Sequence, residues 1–295
     1  MPMRVDWPPR PRVRSWCPSE QGVVSGALLS NAWRVTAALV VIGVSGLVVG
    51  CGSGSSTTSS TPTKKSSALA SADSSGSRPI VLAAASLTKV FPELDPQARF
   101  TFGGSGALAT DIEQGAPDDV YAAASPKDPA LLHAKGLVEK PIAFASNTLV
   151  LIVPTGNPSH ITSVADITRK GVKIVICNPT VPCGDYARTV FANLGITTPA
   201  MKNVVSQATD VTQVVADVAS GAADAGFVYI TDADAARGRV KIVPLPAQAK
   251  PGTIDVIAVN KKAPDPAAAK ALVAAVLSAK GQAILRAAGF GPIPK

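Results

Sequence analysis

Ser105 is the residue whose surroundings in this sequence are most suggestive of chemistry. Gly103, Gly104 and Gly106 surround it, and the residues from Ala107 to 113 have the composition of a short helix. The pattern predicts Ser105 as the N-cap of this helix, which ends before Gly115. The N–H groups and the positive dipole end of a helix start can hold a small anion. The alternative is a Gly-Ser turn that binds nothing.

Three further predicted helix starts carry polar groups, at Ser86, at Cys183 and at Asp210 with Val211. Their dipole ends could converge on one anion without any lysine or arginine. Such a site of donors alone favours a fully deprotonated dianion, because hydrogen phosphate carries a proton that needs an acceptor. Each of these residues could instead be a simple cap, and Tyr229 a core residue at a strand end.

The elements that would position these residues alternate between strand and helix from residue 78 onward. Strands are predicted over 80–84, 99–102, 120–123, 147–154, 173–177, 225–229, 241–244 and 253–259. Helices are predicted over 87–94, after Ser105, after Ser125, over 163–170, after Asp185, after Asp210, over 231–236, from Pro266 and over 278–288. This alternation predicts an α/β fold with parallel sheets, helices on their faces and two lobes. In such sheets ligands lie beyond the carboxyl ends of the strands.

The N-terminal region, residues 1–50, has the features of an export signal. The apolar stretch 35–50 follows Arg34 and is shorter than the roughly 20 residues of a membrane-spanning helix. It ends in Val48-Val49-Gly50-Cys51, which resembles a bacterial lipobox with Cys51 as the lipid-modified residue. The alternative is a plain membrane anchor around an incidental cysteine.

Residues 51–78 are predicted to be the lipidated cysteine followed by a flexible linker. Serine, threonine and glycine dominate this stretch, which is too polar to bury a core. We therefore expect an extracytoplasmic protein that Cys51 tethers to the outer face of the cell membrane.

Charge and cysteine usage narrow the function classes. The net charge is +8, but residues 1–50 contribute five arginines against Asp6 and Glu20, and the remaining charge is dispersed, so nucleic-acid binding is not expected. Cys177 and Cys183 remain after the leader and the lipid site, and in an oxidising compartment they could form a disulfide. Whether they do is left open by the sequence.

Two kinds of site are not expected. A thiolate metal site lacks partners, because His133 and His160 are the only histidines and occupy unrelated positions. The rival function is a serine hydrolase using Ser86 or Ser105. The glycine pattern around Ser105 fails the nucleophile-elbow motif, and neither histidine lies in a triad context, so we predict no enzyme.

Several motifs, taken together and in order, resemble the molybdate-binding proteins of molybdate ABC importers. The resemblance extends over residues 79–293. Its motifs are 83–88 (AAASLT), 102–120 (FGGSGALATDIEQGAPDDV), 147–154 (NTLVLIVP), 181–187 (VPCGDYA), 226–229 (GFVY), 281–285 (GQAIL) and 289–290 (GF).

The resemblance implies a two-lobed periplasmic-binding-protein-like fold of type II, with lobe I over 79–147 plus 253–295 and lobe II over 148–252. It implies crossings between the lobes near 146–149 and 248–254, and molybdate or tungstate in the interlobe cleft. The implied donors are the hydroxyl and N–H of Ser86 and of Ser105, the N–H of Cys183 and of Val211, and the hydroxyl of Tyr229.

Asp185 and Asp210 are expected behind these donors. Asp185 could merely compensate the dipole of its helix, or it could reach the cleft and respond to pH.

The resemblance also implies partners: a permease and its ATPase subunits, with lobes that close on the ligand. No cofactor is implied, and we expect a monomer. The alternative within the binding class is a protein for sulfate or another tetrahedral oxyanion.

Overall fold

In the computed structural model of the chain, residues 78–294 are described. The predicted export signal, Cys51 with its lipid, and the linker up to residue 77 lie outside these residues.

Ten strands and nine α-helices occur within 78–294. The strands are β1 (Ile80–Ala84), β2 (Arg99–Gly103), β3 (Val120–Ala123), β4 (Ile142–Asn147), β5 (Leu149–Pro154), β6 (Ile174–Cys177), β7 (Val204–Ala208), β8 (Ala225–Tyr229), β9 (Val240–Val243) and β10 (Thr253–Val259). The helices are α1 (Phe91–Leu94), α2 (Ser105–Glu113), α3 (Lys127–Ala134), α4 (Pro182–Asn193), α5 (Thr197–Lys202), α6 (Val211–Ala219), α7 (Ile230–Ala235), α8 (Pro266–Leu277) and α9 (Ala279–Ala287). Short 3₁₀ helices cover Ala85–Leu87, Val164–Thr168 and Ala247–Ala249.

The strands form two five-stranded sheets, which confirms the α/β fold class. The first sheet has the order β2-β1-β3-β10-β4, and the second has the order β7-β6-β8-β5-β9. Each contains a parallel set, β1 with β2 and β3 in the first and β6 with β7 and β8 in the second. In every parallel pair the carboxyl ends lie at the same edge of the sheet.

The predicted parallel strands are present, but each sheet also contains one strand, β10 or β5, that runs antiparallel to its neighbours. Both strands start at the edge where the chain passes between the sheets. Thr253 of β10 pairs with Asn147, and Leu149 of β5 pairs with Tyr229. A strand that starts where the parallel strands end must run in the opposite direction.

The predicted helix over 87–94 is wrong in its form. The chain makes the 3₁₀ turn Ala85–Leu87 and then the single turn of α1, which has Pro92 in its first turn. Proline lacks an N–H to bond within a continuing helix but fits a helix start, so one helix becomes two short pieces. In the same way α4 starts at Pro182, earlier than expected.

Helix faces and strand runs bury the core on both sides of each sheet. α6, for example, buries Val211, Val214, Val215 and Val218 against the second sheet. Its side-chain spacing is that of one helix face, as the sequence predicts. Within 78–294 no single helix is both long and apolar enough to cross a membrane. Only α8 and α9 taken together have that length and composition, and the two helices are bent by 62° relative to each other.

The chain passes from the first sheet to the second at Thr148 and returns between Val243 and Thr253. Hydrogen bonds of Asn147 hold the first crossing in place and tie it to the second. Asn147 Nδ2 donates to Thr231 Oγ1 (3.0 Å), Thr148 N donates to Asn147 Oδ1 (2.8 Å), and Thr253 Oγ1 donates to the Asn147 carbonyl. The two lobe ranges given above stay a prediction.

Candidate functional site

A small cavity lies where the carboxyl ends of the parallel strands from both sheets meet. It is lined by residues that follow β1, β2, β3, β6 and β7 and by the end of β8. The residues predicted as anion donors all lie in this lining: Ser86, Ser105, Cys183, Val211 and Tyr229. We call it the donor cavity. Three donors come from elements of the second sheet and two from elements of the first.

Ser105 and Ser86, both predicted as helix N-caps, occupy other positions in the structure. Gly104 is the N-cap of α2 and Ser105 is its first residue, because the extended backbone ends at Gly104. Ser86 lies within the 3₁₀ turn and caps no α-helix. Asp210 is the N-cap of α6 as predicted, and its carboxylate accepts a hydrogen bond from Gln213 N (3.1 Å).

The helix starts supply backbone donors. Cys183 is the second residue of α4 and Val211 is the first residue of α6. In these first turns Gly184 N and Asp185 N donate to the Val181 carbonyl, but neither Cys183 N nor Val211 N donates to any residue within 78–294. Both N–H groups therefore belong to the unpaired positive end of a helix dipole.

Two side-chain hydroxyls at the cavity are buried without a partner. Ser86 Oγ and the Tyr229 hydroxyl have no hydrogen-bond partner within 78–294, and Tyr229 is 2% exposed. Buried polar groups are nearly always hydrogen-bonded, so two exceptions in one cavity point to a missing acceptor. Burial, and to a smaller extent the charge of Asp255, raises the pKa of Tyr229 well above its ordinary value. Its hydroxyl therefore keeps its proton and can donate.

Ser105 is fixed by two hydrogen bonds from β3 and the residue that follows it. Its Oγ accepts from Ala124 N (3.2 Å), and its carbonyl accepts from the hydroxyl of Tyr121 (2.8 Å). Because the oxygen serves as an acceptor for Ala124, the hydroxyl hydrogen can be donated to a ligand.

The donor cavity contains no basic side chain among the described residues, and its single acidic residue is Asp210. Asp185 does not line it. The Asp185 carboxylate lies 3.4 Å from Lys127 Nζ, and both side chains are more than half exposed. The structure therefore places Asp185 in a surface ion pair between α4 and α3, away from the anion donors.

Gly104, the N-cap of α2, and Gly106, its second residue, allow the backbones on the two sides of the cavity to touch. A Cβ atom on Gly106 would overlap the Thr180 carbonyl oxygen, and one on Gly104 would overlap the Thr209 carbonyl oxygen. Thr180 and Thr209 follow β6 and β7. The cavity enclosed by this contact measures about 10 Å³, which is room for one water-sized group. The two sides must separate to admit an anion.

Cys177 and Cys183 are joined by a disulfide, with Cα atoms 5.8 Å apart. Cys177 ends β6, and both cysteines are buried. The bond ties the first turn of α4 to the end of the strand before it. It therefore fixes the position of the Cys183 N–H in the donor cavity.

Replacing both cysteines with alanine should lower the free energy of unfolding by about 2 kcal/mol, the chain-entropy value for so short a ring. Urea denaturation of the full chain measures this change. Wild type unfolded in the presence of reductant should show a loss of the same size. Equal stability of wild type and variant without reductant, or no mass change on reducing the denatured wild type, would contradict a bond that stabilises the fold.

Asp255 and Tyr186 are site neighbours that sequence reasoning missed. Asp255 is 1% exposed in β10, and neither of its carboxylate oxygens has a hydrogen-bond partner within 78–294. The Tyr186 ring stands edge-on to the Tyr229 ring, with centroids 6.5 Å apart. The available signal for Asp255 was a lone carboxylate within the otherwise uncharged strand 253–259.

Neither histidine is near the two serines that a hydrolase would use. His133 Nδ1 lies 3.1 Å from the Val138 carbonyl, and His160 lies in a turn where its carbonyl accepts from Arg169. Neither lines the donor cavity. Ser86 and Ser105 thus have no imidazole base beside them.

Comparison with known proteins gives one family match over most of the chain. Residues 80–291 match the family described as bacterial extracellular solute-binding protein. The molybdate-binding protein ModA of Mycobacterium tuberculosis (strain H37Rv) is 39% identical over 221 residues, which cover 72% of this chain and 83% of that protein.

Solved structures share the fold. The Azotobacter vinelandii periplasmic molybdate-binding protein aligns over 74% of this chain and 100% of its own, with a TM-score of 0.63 and 24% identity. The sulfate-binding protein SubI of Mycobacterium tuberculosis aligns over 73% and 86%, with a TM-score of 0.63 and 18% identity. At these identities the likeness concerns the fold alone.

Proposed function

Because this chain belongs to the bacterial extracellular solute-binding proteins, and among them to the molybdate-binding proteins, we propose that it captures molybdate and tungstate in the donor cavity. Proteins of this kind work with the permease and ATPase of an ABC importer, and they are not enzymes. The proposal places the bound oxyanion between the two sheets, to be delivered to such an importer.

The observation that carries the proposal is the set of unpaired donors around one cavity. The Ser86 and Tyr229 hydroxyls and the Cys183 and Val211 N–H groups have no partner within 78–294, and Ser105 can add its hydroxyl. Four oxygens of a tetrahedral dianion can accept all of these hydrogen bonds. Hydrogen bonds to a charged group are each worth about 1.5–3 kcal/mol, so the set can hold a dianion without a basic side chain.

The same donor set supports discrimination against hydrogen phosphate. Hydrogen phosphate must donate its own proton, and the lining presents donors at every predicted position. Sulfate, like molybdate, needs only donors and is the second candidate. We propose that cavity size separates them, since molybdate and tungstate are larger than sulfate.

The proposal includes the anchor. A lipid on Cys51 and the linker that follows would keep a monomeric protein at the outer face of the cell membrane, within reach of its permease.

Isothermal titration of the full chain with molybdate, tungstate, sulfate and phosphate tests the function. We expect saturable heat with molybdate and tungstate, weaker binding of sulfate and none of phosphate. A much higher affinity for sulfate than for molybdate would favour the second candidate. Heat with phosphate alone would refute the donor-only site.

A further inference from the structure

Asp255 is a buried acid for which the donor set above gives no role. Its side chain is 1% exposed, and both carboxylate oxygens lack a hydrogen-bond partner within 78–294. Taking an ionised carboxylate out of water without a partner is so costly that such groups usually become neutral. The position of this carboxyl therefore needs an explanation.

The backbone places Asp255 beside the crossing between the sheets. It pairs with Ala145 of β4, and the ladder between β10 and β4 has a bulge between Asp255 and Val256. Bulges re-aim side chains and are frequent next to functional sites. Thr253, two residues earlier, bonds to Asn147 at the crossing itself.

The groups that surround the Asp255 carboxyl belong to the other sheet. Tyr229 ends β8 and Tyr186 lies on α4, and the charge of Asp255 acts on both hydroxyls. Because β8 is a strand of the second sheet and α4 packs against that sheet, moving the two sheets apart would expose Asp255 to water.

No positive charge offsets this burial within 78–294. The charged group that acts on Asp255 is the carboxylate of Asp232 on α7. On its own sheet it faces Ala145. The lysines of α3 and α8 are engaged elsewhere, Lys127 with Asp185 and Lys270 with Glu139. Burial first, and then the charge of Asp232, raises the pKa of Asp255 well above its ordinary value. A bound dianion would act in the same direction.

We propose that Asp255 takes up one proton from solution when the two sheets close on the anion, so that each anion is bound together with one proton. The inference rests on the proposed function. The proton forms the O–H bond of the carboxyl group, and no other bond changes. In the open form water solvates Asp255, and it is ionised at neutral pH. In the closed form it is a neutral acid.

The sign of the pH dependence follows from this order of pKa values. Uptake occurs between the lower pKa of the open form and the raised pKa of the closed form, and within that range affinity falls as pH rises, by up to about tenfold per pH unit. Affinity is level below and above the range. A neutral Asp255 also adds no repulsion to a dianion.

Proton uptake is measured by titrating molybdate into the full chain at one pH in buffers of different ionisation enthalpy. In wild type the observed enthalpy should depend on the buffer with a slope approaching one proton taken up. In Asp255→Asn molybdate should still bind, and the slope should fall to near zero. Asp217→Asn, which removes a carboxylate from the exposed face of α6, should keep the wild-type slope.

Other acids near the site are tested in the same way. Burial raises the pKa of Asp232 to about 7, so Asp232 could titrate as well. A slope lost in Asp232→Asn or Asp185→Asn but kept in Asp255→Asn would overturn the assignment, as would a wild-type slope of zero. Absence of any molybdate heat would instead refute the proposed function.

A second measurement needs only wild type and remains decisive if Asp255→Asn fails to fold. Infrared difference spectra with and without molybdate should show the carbonyl band of one protonated carboxylic acid appearing on binding. No such band at neutral pH would overturn the proposal.

Discussion

Replacing Gly106 with alanine should weaken molybdate binding by roughly 5- to 150-fold, the equivalent of the 1–3 kcal/mol that overpacking a tight contact costs. A Cβ atom at this position would overlap the Thr180 carbonyl oxygen of the opposite side. The Thr180 carbonyl belongs to the backbone of a loop that the Asn178 side chain holds in place. Asn178 Oδ1 accepts from Thr180 N (3.0 Å) and from Thr180 Oγ1 (2.6 Å). The loop therefore cannot yield as a flexible side chain would.

The same substitution should not destabilise the open, anion-free form, in which the two sides of the cavity have separated. Gly106 lies inside α2, where alanine is the better helix former by about 0.5–1 kcal/mol. We therefore expect equal or higher thermal stability without molybdate, together with the loss of affinity. A simple folding defect would lower both.

Gly103→Ala is the matched control, because a Cβ atom there meets only the Leu108 side chain at 3.5 Å, an ordinary contact distance. Its affinity for molybdate, measured by the same titration, should stay within about twofold of wild type. Equal affinity of Gly106→Ala and Gly103→Ala would show that closure does not need the contact between Gly106 and Thr180.

The local parts of the site could be predicted from the sequence. The strands β1, β3, β8 and β10 have the predicted bounds, because short apolar runs between turn residues define them. Asp210 is recognisable as an N-cap from its position before an apolar helix face. Ser105 differs by one residue, since its place in the turn depends on the backbone angles of Gly104.

Elements at sheet edges were harder to predict. β7 is an edge strand whose residues from Val204 to Gln207 are partly or fully exposed, and its sequence shows no apolar run. β4 also lies at an edge, and its start at Ile142 is exposed. β7 buries only its last residue and β4 is buried only from Phe144 onward, so neither strand shows over its whole length the hydrophobic pattern that predicts a strand.

The features that arise from contact between the two sheets could not be predicted at all. Gly106 and Thr180 are distant in sequence, so the glycine suggests only a flexible turn until both loops are placed. Asp255 is likewise one carboxylate in a strand until Tyr186 and Tyr229 are seen to cover it. Such close approaches and desolvated charges depend on tertiary structure, and they concern the residues that should decide affinity and its pH dependence.

Ser86→Ala and Tyr229→Phe should each reduce molybdate affinity by about 1.5–3 kcal/mol, or roughly 10- to 150-fold, because each removes one hydrogen bond to a charged group. The free energy of unfolding without the anion should rise or stay unchanged. Both hydroxyls are buried without a partner within 78–294, and removing an unsatisfied polar group does not cost a hydrogen bond. Titration with molybdate and urea denaturation without it measure the two effects.

Ser278→Ala is the control with the opposite pattern. Ser278 Oγ accepts from Gly281 N (3.0 Å) as the N-cap of α9, so its loss should cost about 1 kcal/mol of stability and leave molybdate affinity unchanged. A serine that only supports the fold behaves like Ser278, whereas an anion donor loses affinity while its stability is kept. If Ser86→Ala and Tyr229→Phe follow the Ser278 pattern, their hydroxyls are structural and the anion must lie elsewhere.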